Sequence, residues 1–342
     1  MLELDERGSE PLRRTLWTAE EPLARAKEYL KRARDVSVSE KGAELAVDLV
    51  KLSKPQLWGR PYLTVADGYP VDDVIVFSLA ITSQNFCFWD PAGGPDWRVD
   101  GGRGANALVN SFVRANIEGL GVTDPSWYRN LSEKDVKDLF QGDSEQQLGP
   151  PLIRERTRIL NELGDWLTTL KKPSEMLLEV EEGGKKTDAF AFAQYLGEKL
   201  EGFRDVNYLP NEKPIPFLKR AQMYSSAVGD LLGGKGPIWL RERKRLTAFA
   251  DYREPQGLRH VGVINYSQRL AEIVDNKQLI EPGSIYEAEI RTATIVGLEE
   301  LRKALAKRGY LLDTRDLDAM MWVYARTAEN IEPYHRCLTI WY

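Results

Sequence analysis

Apolar residues recur along most of this chain at three- and four-residue intervals, the spacing that lines side chains up on one face of an α-helix. Leu23, Ala26, Tyr29 and Leu30 form such a stripe behind Thr18-x-x-Glu21, a capping-box pattern that predicts a helix start. Asp124-Pro125 sets a cap acceptor before a proline suited to a first helical position. Asp188 precedes Phe192, Tyr195, Leu196 and Leu200 with the same periodicity. Ser284-x-x-Glu287 opens a long segment that closes at Gly309, with Lys307 and Arg308 in its last turn. Asp313 or Thr314 is placed to cap a final helix carrying Leu317, Met320, Met321 and Tyr324 on one side. Two stretches resist this reading. Residues 71–89 are almost continuously apolar and β-branched, and period alone does not separate a buried strand from a buried helix there. Residues 233–253 mix glycine, proline and charge, and suit a loop or short hairpin as well as a helix. Turn-rich stretches at Pro91–Gly104, Gly142–Pro151, Gly183–Lys186 and Pro210–Pro216 are too short for flexible interdomain linkers, and no internal repeat is present. The pattern predicts a mainly α fold with at most a small β element. Residues 1–342 are expected to form one compact domain, with room for two lobes around a central cleft.

Composition changes the picture mainly by exclusion. With 42% hydrophobic and 29% charged residues, the 342-residue chain has the usage of an ordinary globular protein, so a sizeable core is expected. The net charge is −5 with acids and bases interspersed, whereas a surface for long nucleic acid needs a basic excess to meet phosphates. The one dense basic run, Arg241 to Arg245, is broken by Glu242 and reads as a solvated face. Cys87 and Cys337 are the only cysteines, and His260 and His335 the only histidines. That argues against a disulfide scaffold and against a Cys- or His-rich metal centre. No stretch approaches 18 uncharged apolar residues, and the polar, acidic beginning does not read as a signal peptide. A cytoplasmic protein without a membrane span is expected. The glycine-rich nucleotide loops, HExxH and GxSxG are all missing, which disfavours dehydrogenases, P-loop enzymes, zincins and α/β-hydrolases.

Four segments hold residues with chemical potential, and each also has a plain structural reading. Phe217, Ala221, Tyr224, Val228 and Leu231 make one helical stripe, with Lys219, Gln222 and Ser226 opposite. That polar side is either the wet back of a core helix or the wall of a pocket in which Lys219 meets an anion. Asp251 approaches a helix start marked by Pro255, where the dipole favours an ionised carboxylate. It is either a cap or a salt-bridge partner of Arg253, or an acid whose flanking residues Phe249 and Tyr252 offer ring faces to a flat ligand. Asp318 and Trp322 stand four residues apart on one helix face. They suit an acid over a core indole, or a carboxylate reading the edge of a flat heterocycle that stacks on the ring. Asn85-Phe-Cys-Phe-Trp89 is dense in aromatics, for which core packing is the default.

In this order the segments resemble the queuosine salvage protein family, whose members are queuosine 5′-phosphate N-glycosylase/hydrolases. The resemblance runs from about Tyr69 to Tyr342. It is carried by Asn85 to Trp89, Phe203-Arg-Asp205, Phe217 to Gln222, Leu246 to Gln256, Glu287-Ala-Glu-Ile-Arg291 and Tyr334-His-Arg336. It implies a helical fold similar to the helix-hairpin-helix DNA glycosylases and release of queuine from queuosine 5′-monophosphate, without metal or redox cofactor. It further implies a monomer that handles a small molecule and holds no nucleic acid stably. By the same resemblance Asp251 is the catalytic carboxylate, stabilising an oxocarbenium-like transition state and orienting water. Lys219, Phe249, Asp318 and Trp322 are substrate contacts, joined by Tyr69, Asn85, Phe88, Trp89, Gln222, Tyr252, Arg253, His335 and Arg336. Cations for a 5′-phosphate come from Lys219, Arg220, Arg253, His335 and Arg336. The chain departs from the family pattern at Tyr69-Pro70, where a histidine is expected before the proline. Ala319 and Val323 stand where an aromatic and an acid are expected. Two other functions stay open: a glycosylase acting on polymeric DNA or tRNA, and a non-catalytic queuine-binding protein.

Overall fold

The structure, a computed structural model, describes residues 22–50, 63–144, 149–182 and 187–342. Thr18-x-x-Glu21 and the Gly183–Lys186 turn lie outside the described residues. Fourteen α-helices and four two-stranded pairings occur among those residues, so the chain is mainly α. No helix among the described residues is long and apolar enough to cross a membrane.

The helix starts follow the capping chemistry. Asp124 accepts from the Ser126 amide at 2.8 Å, Asp188 from the Ala191 amide at 2.9 Å, and Ser284 from the Glu287 amide at 3.4 Å. Asp313, not Thr314, caps the last helix by accepting from the Asp316 amide at 2.8 Å. Each cap satisfies an amide that the first turn leaves without an intrahelical partner. The ambiguous apolar stretch is helical over Val71–Ser83, and every residue from Val74 to Ser83 is buried. A helix covered on all sides has no polar face, which is why its sequence shows no period. Its buried hydroxyls return to its own carbonyls: Ser78 donates to Val74 O at 2.6 Å and Thr82 to Ser78 O at 2.8 Å. Residues 233–253 form no hairpin. A short 3-10 turn at Ile238–Arg241 leads into irregular chain. The basic run is partly paired rather than simply solvated, since Arg245 grips Asp188 at 2.6 and 2.8 Å and Arg243 meets Asp230 at 2.9 Å.

Two hydrophobic cores organise these helices. One surrounds Val71–Ser83 and includes residues of Ala105–Ile117, Ile153–Leu167, Ala189–Lys199 and Lys219–Leu231. The other surrounds Ile285–Lys307 and includes residues of Pro22–Leu30, Glu40–Val50, Arg253–His260 and Thr314–Thr327. A third, smaller cluster gathers Phe86, Cys87 and Trp89 with Ile159, Tyr252, Cys337 and Tyr342, joining chain that leaves both larger cores. Helix packing is tight where glycine permits it. A Cβ on Gly164 would lie 2.7 Å from Arg129 N and 2.9 Å from Pro125 O, so this glycine lets Ile153–Leu167 press against Pro125–Tyr128. A parallel pairing of Leu279–Ile280 with Arg336–Cys337 returns residues 334–342 to the seam between the cores.

Candidate active site

At that seam a cavity of about 810 Å³, counting its open mouth, is lined by residues from 96–105, by Tyr334 and Tyr342, and by four further stretches of chain. They are the turn after Val71–Ser83, the start of Lys219–Leu231, the segment entering Arg253–His260, and one face of Thr314–Thr327. Phe88, Trp97, Phe249, Tyr252 and Trp322 supply ring surfaces. Lys219 is the first residue of its helix. Leu218 before it takes a left-handed conformation (φ 50°, ψ 36°), because both the Phe217 and Leu218 amides donate to Asp205 O, at 2.9 and 3.0 Å. The ammonium so aimed donates to Asn85 O at 3.1 Å and Asn85 Oδ1 at 3.0 Å, and stands 3.7 Å from Asp251 Oδ2. The other oxygen of Asp251 accepts from the Arg253 amide at 2.6 Å, which makes Asp251 the anchor of the helix entry as well as a wall of the cavity. Asp318 Oδ1 accepts from the Phe249 amide at 2.7 Å. Asp318 Oδ2 and Glu254 Oε2 are buried and have no hydrogen-bond partner.

These groups divide their protons unequally. Burial opposes charge on Asp251, but contact with the Glu254 carboxyl, the Lys219 ammonium and the Arg253 amide holds it below the ordinary aspartate range. Burial, then the negative charge of Asp251, pushes Glu254 well above the usual glutamate range. Asp318 is pushed up to about 8 by burial and by Asp251, against the opposing hydrogen bond from Phe249. Burial lowers Lys219, and Asp251 resists that shift. The pocket at neutral pH therefore pairs one carboxylate with one ammonium and keeps two carboxyls neutral, since three buried negative charges together would be too costly.

The turn carrying Asn85 is itself held by cations. Arg156 donates to Gln84 O at 2.8 Å, Phe86 O at 2.6 Å and Cys87 O at 3.0 Å, while Arg220 reaches Ser83 O. Both guanidinium groups lie over the Phe86 ring, at 4.0 and 4.8 Å. They cover the carbonyl-rich, negative end of the Val71–Ser83 helix.

Ten of the fourteen expected site residues converge on the cavity: Asn85, Phe88, Trp89, Lys219, Phe249, Asp251, Tyr252, Arg253, Asp318 and Trp322. The other four do not. Gln222 uses its amide to bridge Phe217 O at 2.8 Å and the Thr247 amide at 2.8 Å, holding the chain beside the site. Tyr69 packs against the first core. His335 is buried against the Tyr342 hydroxyl at 3.1 Å, and burial pushes it down to about 3, so it is a neutral imidazole and no phosphate cation. Arg336 lies 5.4 Å over the Trp89 ring, outside the cavity wall. Arg220, expected among the phosphate cations, is taken up by backbone carbonyls. Neither Ala319 nor Val323 lines the cavity.

Other lining groups went unread in the sequence: Glu254, Arg103, Arg326, Tyr334 and Tyr342. Arg326 had a signal, because it follows Trp322 by four residues on the face that carries Asp318. Its guanidinium lies 4.3 Å over the Trp322 ring. Burial, then the charges of Arg103 and Arg253, lowers Arg326, and all three residues line the cavity. Arg103 sits in the Pro91–Gly104 turn region, where sequence gave no hint of its direction.

Comparison with known proteins adds the following. The family profile described as queuosine salvage protein matches residues 68–342. The queuosine 5′-phosphate N-glycosylase/hydrolase of Sphaerobacter thermophilus is 35% identical over 293 residues, covering 84% of this chain and 86% of that protein. The protein of the same name from Bos taurus is 29% identical over 341 residues, covering 94% of this chain and 98% of its own. That from Dictyostelium discoideum is 32% identical over 272 residues, covering 78% and 77% respectively.

Proposed function

The chain belongs to the queuosine salvage protein family, and on that premise we propose that it is an N-glycosidase that hydrolyses queuosine 5′-phosphate and releases queuine. The observation that carries this reading is Asp251: an ionised carboxylate held beside a single ammonium inside an aromatic cavity of nucleotide size. As the bond between sugar and base breaks, its electron pair leaves with the base and positive charge grows on the sugar ring. A fixed negative group facing that carbon in a dry site stabilises the charge more than water would. Water then adds its oxygen to the anomeric carbon and the base gains a proton, so the products are ribose 5-phosphate and free base. Asp251 orients that water. Lys219 keeps Asp251 ionised, and Asn85 keeps Lys219 in place.

Asp318 supports departure of the base. Asp318 lines the cavity and one oxygen of its proton-bearing carboxyl has no partner, so a neutral acid there is free to donate a hydrogen bond to the ring as electrons arrive. The ring surfaces of Phe88, Phe249 and Trp322 along the cavity wall suit a flat base. The three arginines Arg103, Arg253 and Arg326 suit the 5′-phosphate, by fork-shaped hydrogen bonding that relieves their mutual repulsion.

The test is incubation with queuosine 5′-monophosphate and chromatographic detection of free queuine. Asp251→Asn is expected to lower the rate on the order of a hundredfold or more while queuine binding and the near-ultraviolet circular dichroism persist. A variant as fast as the wild type would remove Asp251 from the chemistry.

A further inference from the structure

Two motifs of the family pattern, Phe203-Arg-Asp205 and Glu287-Ala-Glu-Ile-Arg291, contribute no side chain to the cavity. They nevertheless meet directly behind it. Arg291 donates to Asp205 through both terminal nitrogens, at 2.8 and 2.6 Å, and both residues are nearly inaccessible to solvent. The remaining capacity of this pair is spent on the two stretches of chain that present the reacting groups. Arg291 Nε donates to Ala250 O at 3.0 Å, one residue before Asp251. Asp205 Oδ2 accepts from the Lys219 amide at 3.0 Å, and Asp205 O holds the Phe217 and Leu218 amides. The guanidinium is fixed in its plane by the Phe217 ring at 3.9 Å and the Tyr342 ring at 4.5 Å.

A buried ion pair is weak support for stability by itself, because apolar residues of similar size would serve as well. A planar fork held by fixed acceptors at Nε, Nη1 and Nη2 does something they would not: it fixes direction. We propose that Arg291 and Asp205 are positioning residues that set the separation of Lys219 and Asp251, acting through the backbone on either side. The inference rests on the hydrolysis proposed above, in which Asp251 must stay ionised next to Lys219.

The experiment compares wild type, Arg291→Lys and the double variant Asp205→Asn/Arg291→Gln, which removes both charges of the pair; Glu287, buried 3.8 Å from Arg291 Nη1, loses its cation as well, and burial favours its neutral form. Queuine release is followed across pH, alongside thermal unfolding. Loosening the clamp moves the ammonium from the carboxylate, so Asp251 gains its proton more readily and the acidic limb of the rate profile shifts to higher pH. The expected kcat falls on the order of ten- to a hundredfold with KM within a few-fold, the mark of misplacement rather than lost binding. A folded double variant whose pH profile overlays that of the wild type, with kcat unchanged or reduced only by its folded fraction, overturns the proposal. If the wild type itself releases no queuine, the hydrolysis reading fails separately. The clamp is then read by carboxyl carbon-13 NMR titration of Asp251, where identical curves in wild type and double variant overturn it and a curve shifted to higher pH in the variant supports it.

Discussion

At the scale of single residues, the site runs on the inequality among three acids. Asp251 titrates low and Asp318 near 8, so the rate should be supported between those limits and fall as pH rises past about 8. Asp318→Asn keeps an oxygen for the Phe249 amide but has no proton to lose, and should flatten the basic limb of the pH–rate profile. Stability follows the same proton. The unfolded chain releases it near pH 4, while the folded chain holds it to about 8. The folded state therefore binds more protons across that window, and its stability declines as pH rises through it. Melting temperatures of wild type and Asp318→Asn measured from pH 5 to 8 should diverge in slope, the wild type declining more; parallel slopes would mean that Asp318 is ionised throughout. Asp251 was legible in the sequence because a carboxylate ahead of a helix start is a local pattern. The protonation of Asp318 and Glu254 was not, since it arises where segments some 65 residues apart crowd around one charge.

At the scale of elements, sequence served well wherever the signal is confined to a few neighbours. The caps at Asp124, Asp188, Ser284 and Asp313 are such signals. The stripe read from Phe217 to Leu231 began too early. Phe217 precedes the helix, because hydrogen bonds from the Phe217 and Leu218 amides to Asp205 O bend the chain at Leu218, and no residue type announced a left-handed leucine. The Val71–Ser83 helix was hidden for the opposite reason, its complete burial leaving no alternation to read. Close approach between helices gives a further prediction. An alanine at Gly164 meets fixed backbone, and Gly164→Ala should cost roughly 1–3 kcal/mol or more in denaturant unfolding. Gly257→Ala crowds the end of Met321 at 2.9 Å, a flexible chain that moves aside, with Ala325 Cβ and Met321 O at an ordinary 3.4 Å, and should cost less than about 1 kcal/mol. Equal costs would show that the Pro125–Tyr128 turn yields as readily as a methionine.

At the scale of the whole molecule, mainly helical architecture was legible from periodicity, and the cavity was not. Its walls come from elements that pack other residues into one or the other large core, and which faces turn toward each other depends on long-range pairings that leave no trace in local spacing. Net charge was equally uninformative here. A chain with an overall charge of −5 still assembles three arginines around one cavity and a carboxylate–ammonium pair within it. The return of the chain along Leu279–Ile280 has one more effect. Tyr342 O accepts from the Cys87 amide at 2.9 Å, and the Tyr342 ring covers Arg291, yet residues 338–342 belong to neither large core. A variant lacking Leu338–Tyr342 should keep near-native far-ultraviolet circular dichroism and show little turnover of the nucleotide. Loss of these few residues would thus pass a test of folding and be found only by assaying the reaction.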